Sequence, residues 1–284
     1  MPSFWRNLLC YGQYFCVYPA AFDSEEERYA EFSPPHFGSE VDLVTSDNVV
    51  LKCYLIRAAH NPSPQATVIL FHGNGYHVWQ HTPCAQGFHS LKCNVLMVSY
   101  RGYGSSKGVP TERGLRRDAQ AALDFVLADP QLSSVPIVLH GHSLGGAVAI
   151  DLVSRNPTKV QALIVENTFL SIRTVARDLP WIRFFSFFVH QKWDSASKIS
   201  SIPRTTPILM LHGERDEVVP KRHMRELWAL ARRRSSGLGV KDNPPLRDKF
   251  QPFPRGHHGE MNIQPGYWSA VDRFLRSLDD TITS

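Results

Sequence analysis

At 284 residues, 43% hydrophobic and 20% charged, the chain is long enough to bury one large core and too apolar to be disordered. The net charge of +5 is modest, and the basic residues are not interleaved with aromatics as in nucleic-acid binders, so no nucleic-acid partner is expected. Five cysteines, at 10, 16, 53, 84 and 93, form no C-x-x-C pair and no Cys/His ligand spacing, which argues against a disulfide framework and for an intracellular, reducing setting.

The basic excess concentrates around Arg113, Arg116 and Arg117 and in Arg232–Arg234, a pattern that suits an anionic membrane surface or plain solubility. Residues 1–35 read as a separate N-terminal segment. The stretch from Leu8 to Phe22 carries no charge, but Gly12, Gln13 and Pro19 interrupt it and it falls short of a spanning helix. Trp5, Leu8, Leu9, Gly12 and Cys16 would share one helical face. That face has two readings: an interfacial membrane anchor acylated at Cys10 or Cys16, or a helix packed on the body. An acidic stretch, Asp23 to Glu31, and Pro34-Pro35 then lead into one domain over residues 36–284.

Glu40–Thr45 and Val49–Ile56 are β-rich runs around the turn cluster Ser46-Asp47-Asn48 and predict a hairpin. Thr67–Phe71 is a continuous apolar run, the pattern of a strand buried on both faces, and ends in His72-Gly-Asn-Gly75. A short helix, Thr82–Lys92, precedes the strand Asn94–Ser99. From Thr111 to Ala128, Leu115, Ala119, Ala122, Leu123 and Val126 recur at helical spacing, with Thr111 as cap and Pro130 as stop. Strands at Val160–Val165, Pro207–Leu211 and Lys249–Phe253 follow, with helices at Pro220–Arg234 and Gln264–Leu278. This alternation predicts an α/β fold with a mostly parallel sheet, its chemistry at the carboxyl ends of the strands.

Two stretches break the alternation. Thr168–Ile202 is an insertion of about 35 residues, where two to six would be usual. Within it Trp181, Phe184, Phe185 and Phe188 fall on one helical face. They read as a helical lid, either simply held on the body or lining an acyl-chain pocket. Ser235–Asp248, rich in Gly, Pro and Lys, reads as a mobile surface loop.

Chemistry is concentrated in Pro136-Ile-Val-Leu-His-Gly-His-Ser143-Leu-Gly-Gly-Ala147. A buried strand, G-H-S-L-G and a small-residue helix start form the pattern of a nucleophile turn, with Ser143 at its tip and the Leu144 N–H placed for an oxyanion. A serine hydroxyl is a weak nucleophile and needs an imidazole and a carboxylate. In such folds the order along the chain is Ser, acid, His. For the acid, G-x-x-D after the Pro207–Leu211 strand offers Asp216, with Glu166 at the end of the preceding strand as competitor; Glu214 and Glu217 read as solvated. For the base, Gly256-His257-His258-Gly-Glu260 offers either imidazole. The pattern is a poor metal site, because adjacent histidines point apart and no third ligand cluster is visible. His140 and His142 read as turn-packing residues. The second oxyanion donor is expected in His72–Gly75, with Asn74 first and Gly75 next.

These segments resemble the α/β-hydrolase superfamily, and within it the fungal bud-emergence (Bem-type) hydrolases and their animal α/β-hydrolase-domain relatives. The resemblance is carried by HGNG at 72–75, SYRGYGSSKG at 99–108, GLRRDAQAALDFV at 114–126, GHSLGGAVAIDLVSRNP at 141–157, VENTFLSI at 165–172, KWDS at 192–195, GERDEVVPKRHM at 213–224 and GHHGE at 256–260. It implies an α/β-hydrolase fold with an inserted lid and a triad of Ser143, Asp216 and His258, the family's G-T-H-N-D putting the base in the third place. This chain departs from that motif with His257, Gly259 and Glu260. The resemblance further implies a serine esterase or thioesterase that uses no cofactor, acting on acyl esters or thioesters, acylated proteins included. A membrane segment usually begins such chains, so membrane association is expected, with an anchor either shortened or upstream of this sequence. The alternatives are a non-catalytic membrane-associated scaffold of the same fold and a serine peptidase.

Overall fold

The computed structural model describes residues 17–22, 38–59, 63–178, 190–234 and 247–279. Among these, eight strands form one sheet in the order β1-β2-β4-β3-β5-β6-β7-β8. Their ranges are β1 Ser39–Val44, β2 Val50–Ile56, β3 Thr67–Phe71, β4 Asn94–Val98, β5 Ile137–His142, β6 Ala162–Glu166, β7 Ile208–Gly213 and β8 Lys249–Phe253. β1 and β2 form the expected antiparallel hairpin, and β2 joins β4 antiparallel; β4, β3 and β5 through β8 run parallel.

Among the described residues the α-helices of five or more residues are α1 Thr82–Ser90, α2 Glu112–Ala128, α3 Leu144–Arg155, α4 Ile172–Asp178, α5 Ser195–Ile199, α6 Arg222–Ala231 and α7 Tyr267–Asp279. The central strands are apolar on both faces because both faces are covered. Ile69, Phe71, Leu96, Val98 and Leu139 pack into one core with α2, α3 and α6. Their neighbours in sequence, Val68, Leu70, Val95, Met97 and Val138, pack into a second core with α1 and α7. This is the period-two alternation of a strand read from both sides.

Local chemistry sets the boundaries. The Thr111 hydroxyl accepts the Gly114 N–H at 2.9 Å and caps α2, whose buried face is Leu115, Ala119, Ala122, Leu123 and Val126, as its periodicity predicts. Asp118 lies on that face too, completely buried. It takes the Arg101 side chain at 2.8 Å and backbone N–H at 2.9 Å. Arg101 also reaches both oxygens of Asp47 at 2.9 Å, so the SYRGYG and GLRRDA motifs meet in one buried ion cluster. Burial pushes the Asp118 carboxyl up to about 6 against the pull of Arg101.

Several expectations change at this level. Of the two basic clusters, Arg234 is buried, with its guanidinium on both oxygens of Asp248 at 2.8 and 2.9 Å. Arg117 pairs with Asp47 and Arg116 with Glu112. Much of the basic excess is therefore bound internally, which weakens it as a membrane signal. Asp248 belongs to the core, not to a mobile loop; residues 235–246 of that loop lie outside the described residues. So do the four lid aromatics, Trp181, Phe184, Phe185 and Phe188. The described parts of the insertion are packed on the body: Phe169, Trp193 and Ile199 belong to the first core. Val17, Tyr18, Ala20 and Ala21 belong to it as well, so this part of the N-terminal segment packs on the body.

Candidate active site

The loops that follow β3, β5, β6, β7 and β8 converge at one rim of the sheet. Ser143 lies between β5 and α3 at φ 52°, ψ −116°. A non-glycine residue there carries strain of about 1–3 kcal/mol. Three backbone hydrogen bonds hold it in place. Ser143 N–H donates to the Glu166 carbonyl at 2.9 Å, and the Ser143 carbonyl accepts from Gly146 N–H at 3.0 Å and from the Thr168 hydroxyl at 2.7 Å. At about 1 kcal/mol each, such bonds are of the size of the strain.

The flanking glycines are steric requirements. A Cβ on Gly141 would sit 2.2 Å from the Gly145 carbonyl oxygen, and one on Gly145 would sit 2.0 Å from that of Phe71. The turn closes so tightly on β3 that no side chain fits at either place. Leu144 is the first residue of α3, and a first-turn N–H has no intrahelical acceptor.

Asp216 follows β7, and its Oδ1 accepts the N–H groups of Val218 at 2.9 Å and Val219 at 2.8 Å. Its carboxylate accepts the Nδ1–H of His258 at 2.9 and 3.0 Å. The His258 side chain is 10% exposed and that of Asp216 1%. Since the carboxylate can only accept, the proton sits on Nδ1 and Nε2 carries a lone pair. His257 differs: its half-exposed ring faces Glu217 at 3.2 Å. Glu217, expected to be free in solvent, also accepts the His258 N–H at 3.4 Å.

The competing acid, Glu166, is engaged elsewhere. The Tyr267 hydroxyl donates to it at 2.5 Å, and the His140 ring lies 3.6 Å away. Burial raises its carboxyl, but these partners and His142 outweigh that and hold it below the usual carboxylate value.

Two residues tie the loops together. Asn167, completely buried at φ 43°, donates through its side-chain amide to the carbonyls of His257 at 3.0 Å and His258 at 3.1 Å. Its side-chain oxygen accepts the Gly213 N–H at 2.8 Å. One side chain thus links the ends of β6, β7 and the loop after β8. The second is His142, whose Nε2–H also donates to the His258 carbonyl, at 2.8 Å. Burial, then the neighbouring His258 ring, pushes the His142 imidazole down to about 4, so at neutral pH it is uncharged. In the sequence His142 reads as turn packing, and Asn167 carries no assigned role. The signal available was Asn in E-N-T-F directly after a strand, a residue that tolerates positive φ.

In the loop after β3, the His72 Nδ1–H donates to the Gly73 carbonyl at 2.8 Å, and the Tyr103 hydroxyl donates to the Asn74 carbonyl at 3.1 Å. Burial pushes the His72 imidazole down to about 3. Size of cavity does not mark the chemistry. A cavity of about 500 Å³ is lined by Gln65, Lys92 and Pro136, which precede β3, β4 and β5 at the opposite end of the sheet.

Comparison with known proteins agrees with this architecture. The family model described as "Serine aminopeptidase, S33" matches residues 62–197. Protein bem46 of Schizosaccharomyces pombe is 36% identical over 272 residues, 93% of this chain and 85% of that protein. The membrane protein YNL320W of Saccharomyces cerevisiae is 33% identical over 238 residues, 83% of this chain and 78% of that one. Among solved structures, the Pyrococcus furiosus esterase Pf2001 superposes with a TM-score of 0.66 at 21% identity, covering 90% of this chain and 94% of that one. With a relative this similar along nearly its whole length, the chain belongs to the α/β-hydrolase superfamily, on the branch that includes bem46.

Proposed function

We propose that the protein is a serine hydrolase that cleaves carboxylic ester or thioester bonds through an acyl-enzyme on Ser143. The observation that carries this reading is a strained serine at the tip of the β5–α3 turn, with an Asp216–His258 pair on the same rim of the sheet. In the proposed reaction His258 Nε2 takes the Ser143 hydroxyl proton as Oγ attacks the acyl carbon. Asp216 keeps the proton on Nδ1 and offsets the positive charge that develops on the ring. The N–H groups of Leu144 and Asn74 receive the oxyanion, at about 3 kcal/mol each. His258 then returns its proton to the departing alcohol or thiol. Water repeats the cycle in reverse to free the acid and Ser143. No step requires a metal or an organic cofactor.

For substrate, we infer an acyl chain carried by protein or lipid at a membrane surface, with palmitoyl thioesters of proteins as the specific candidate. The aromatic run at 181–188 and the membrane-protein relative support this choice. Among the described residues no helix is long and apolar enough to cross a membrane. The test is a p-nitrophenyl ester series from acetyl to palmitoyl, run beside an S-palmitoylated peptide and a matched p-nitroanilide. The reading expects ester and thioester turnover that rises with chain length. Turnover of the anilide alone would assign a peptidase, and turnover of none would assign the scaffold role.

A further inference from the structure

The N-terminal end of the body touches the loop proposed to hold the oxyanion. Val17 and Tyr18 are 6% and 0% exposed, and the Asn74 side-chain amide donates to the Val17 carbonyl at 3.1 Å. Tyr18 is held in turn by the KWDS motif. The Trp193 Nε1–H donates to the Tyr18 hydroxyl at 3.0 Å, and that hydroxyl donates to Gln191 Oε1 at 2.9 Å. Gln191 Oε1 also accepts the N–H of Glu112 at 2.5 Å, and the Glu112 carboxylate accepts the Lys192 N–H at 2.6 Å. Hydrogen bonds therefore run from the start of α2 through residues 191–193 to Tyr18, and the adjoining Val17 carbonyl carries the link on to Asn74. Trp193 makes its contact while buried at φ 40°, a conformation that a tryptophan adopts only when its surroundings impose it.

The atoms fixed by this line decide where one N–H points. Asn74 N–H belongs to the Gly73–Asn74 peptide. That unit is planar, so a carbonyl held on one edge aims the N–H from the other. His72 holds the Gly73 carbonyl at 2.8 Å. The following peptide is held by Tyr103 on the Asn74 carbonyl at 3.1 Å, and the Asn74 side chain by Val17. The Gly73 carbonyl also accepts the Tyr76 N–H at 3.4 Å, a long bond. Loss of the Val17 contact leaves the side-chain amide of Asn74 without this partner and lets the turn shift about the remaining three. Oxyanion donors work through fixed placement, and their misplacement by a fraction of an ångström is felt as rate.

We propose that Tyr18 and Trp193 are positioning residues for the reaction: they hold the Val17 carbonyl against Asn74 and so set the Asn74 N–H toward the oxyanion. The segment at 17–21 and the KWDS motif then act as parts of the catalytic apparatus without touching substrate. This rests on the reading of Ser143 as nucleophile and Asn74 N–H as donor.

The test uses the full chain and p-nitrophenyl butyrate, an ester too short to report on chain binding. Tyr18→Phe and Trp193→Phe should each lower kcat about 10- to 100-fold, below the full loss of a donor, with KM changed less than about two-fold. Asn74→Ala keeps the backbone N–H, lies on a partly exposed loop, and should give a similar fall. The double variant Tyr18→Phe/Asn74→Ala should be no slower than the worse single variant, because both remove one tether. Melting temperature is measured in parallel. Variants that melt earlier yet keep wild-type kcat below their transition would overturn the proposal, as would multiplication of the two single effects in the double variant. Wild-type protein without ester turnover and without phosphonylation of Ser143 would instead overturn the hydrolase reading itself.

Discussion

Of the imidazole–carboxylate pairs among the described residues, two have closely similar separations. His258 Nδ1 meets Asp216 at 2.9 Å, and His223 Nε2 meets Asp178 at 2.7 Å. Both carboxylates follow or end an element next to the sheet, and both rings are largely enclosed. The difference lies in the other ring nitrogen. In His223 the second nitrogen accepts the Leu170 N–H at 3.2 Å, so both nitrogens are committed and the ring is a structural strut. Among the described residues, no hydrogen bond is made by His258 Nε2, and the strained Ser143 shares its rim. An imidazole held by a carboxylate is therefore not by itself a base; the proposed role of His258 rests on its unclaimed nitrogen and on the rim it shares with Ser143.

The comparison can be broken most severely at the nucleophile. Ser143→Ala should lower kcat for an ester by about a million-fold with the fold retained, because the remaining pair then has nothing to deprotonate. Circular dichroism and residual turnover would check it. Asp216→Asn should cost about 10⁴ in kcat, since the amide favours the wrong tautomer of His258. Asp178→Asn, the matched change at the other pair, should leave kcat within about three-fold and act on melting temperature instead. Equal kinetic losses from the two substitutions would erase the distinction drawn here.

A smaller effect is expected at Asn167. Asn167→Ala removes two donors to the His257–His258 backbone and the acceptor of Gly213 N–H. Displacement of His258 by about 1 Å would lower kcat about 100-fold, with KM for a short ester little changed. Stability should fall as well, by about 1–3 kcal/mol for the buried groups left unpaired. A loss of stability without any loss of kcat would reduce Asn167 to a structural link.

The smallest effect concerns pH. His142 and His72 are held near 4 and 3, against about 6.5 in an unfolded chain. As pH drops below about 6.5 the unfolded chain binds protons that the folded one refuses. Each group then removes up to about 1.4 kcal/mol of stability per pH unit. Asp118 works in the opposite sense below about 6, where the folded state gains its proton first. Two histidines outweigh one aspartate, so the urea midpoint should fall from pH 7 to pH 5 and stay level from pH 7 to about 8, above which the buried Cys53 and Cys93 thiols, pushed up to about 12, lower it again. A His142→Gln variant should show a shallower fall. A midpoint independent of pH would contradict the assignment of these rings as buried and neutral.

Much of this was legible in the sequence because local rules govern it. Apolar runs such as Thr67–Phe71 locate the parallel strands, and the spacing of Leu115, Ala119, Leu123 and Val126 locates α2. The glycines at 141 and 145 mark a turn too close for side chains. Other features depend on long-range contact and carry no local signal. Nothing near Arg234 in sequence announces that Asp248 neutralises it. Tyr18 and Trp193 lie 175 residues apart and meet through one hydrogen bond. Asn167 is an ordinary loop residue until the loops after β7 and β8 fold against it. The choice of Asp216 over Glu166 beside His258 is likewise a matter of geometry, because Glu166 ends one parallel strand and Asp216 closely follows the next.

The central claim is that Ser143 is made reactive by His258. It is tested most directly by treating wild-type protein, Ser143→Ala and Asp178→Asn with a fluorophosphonate and mapping the adduct by peptide mass spectrometry. One adduct is expected, on Ser143, in wild type and in Asp178→Asn at similar rates, and none in Ser143→Ala. An adduct on another residue, or equal labelling of all three proteins, would contradict it.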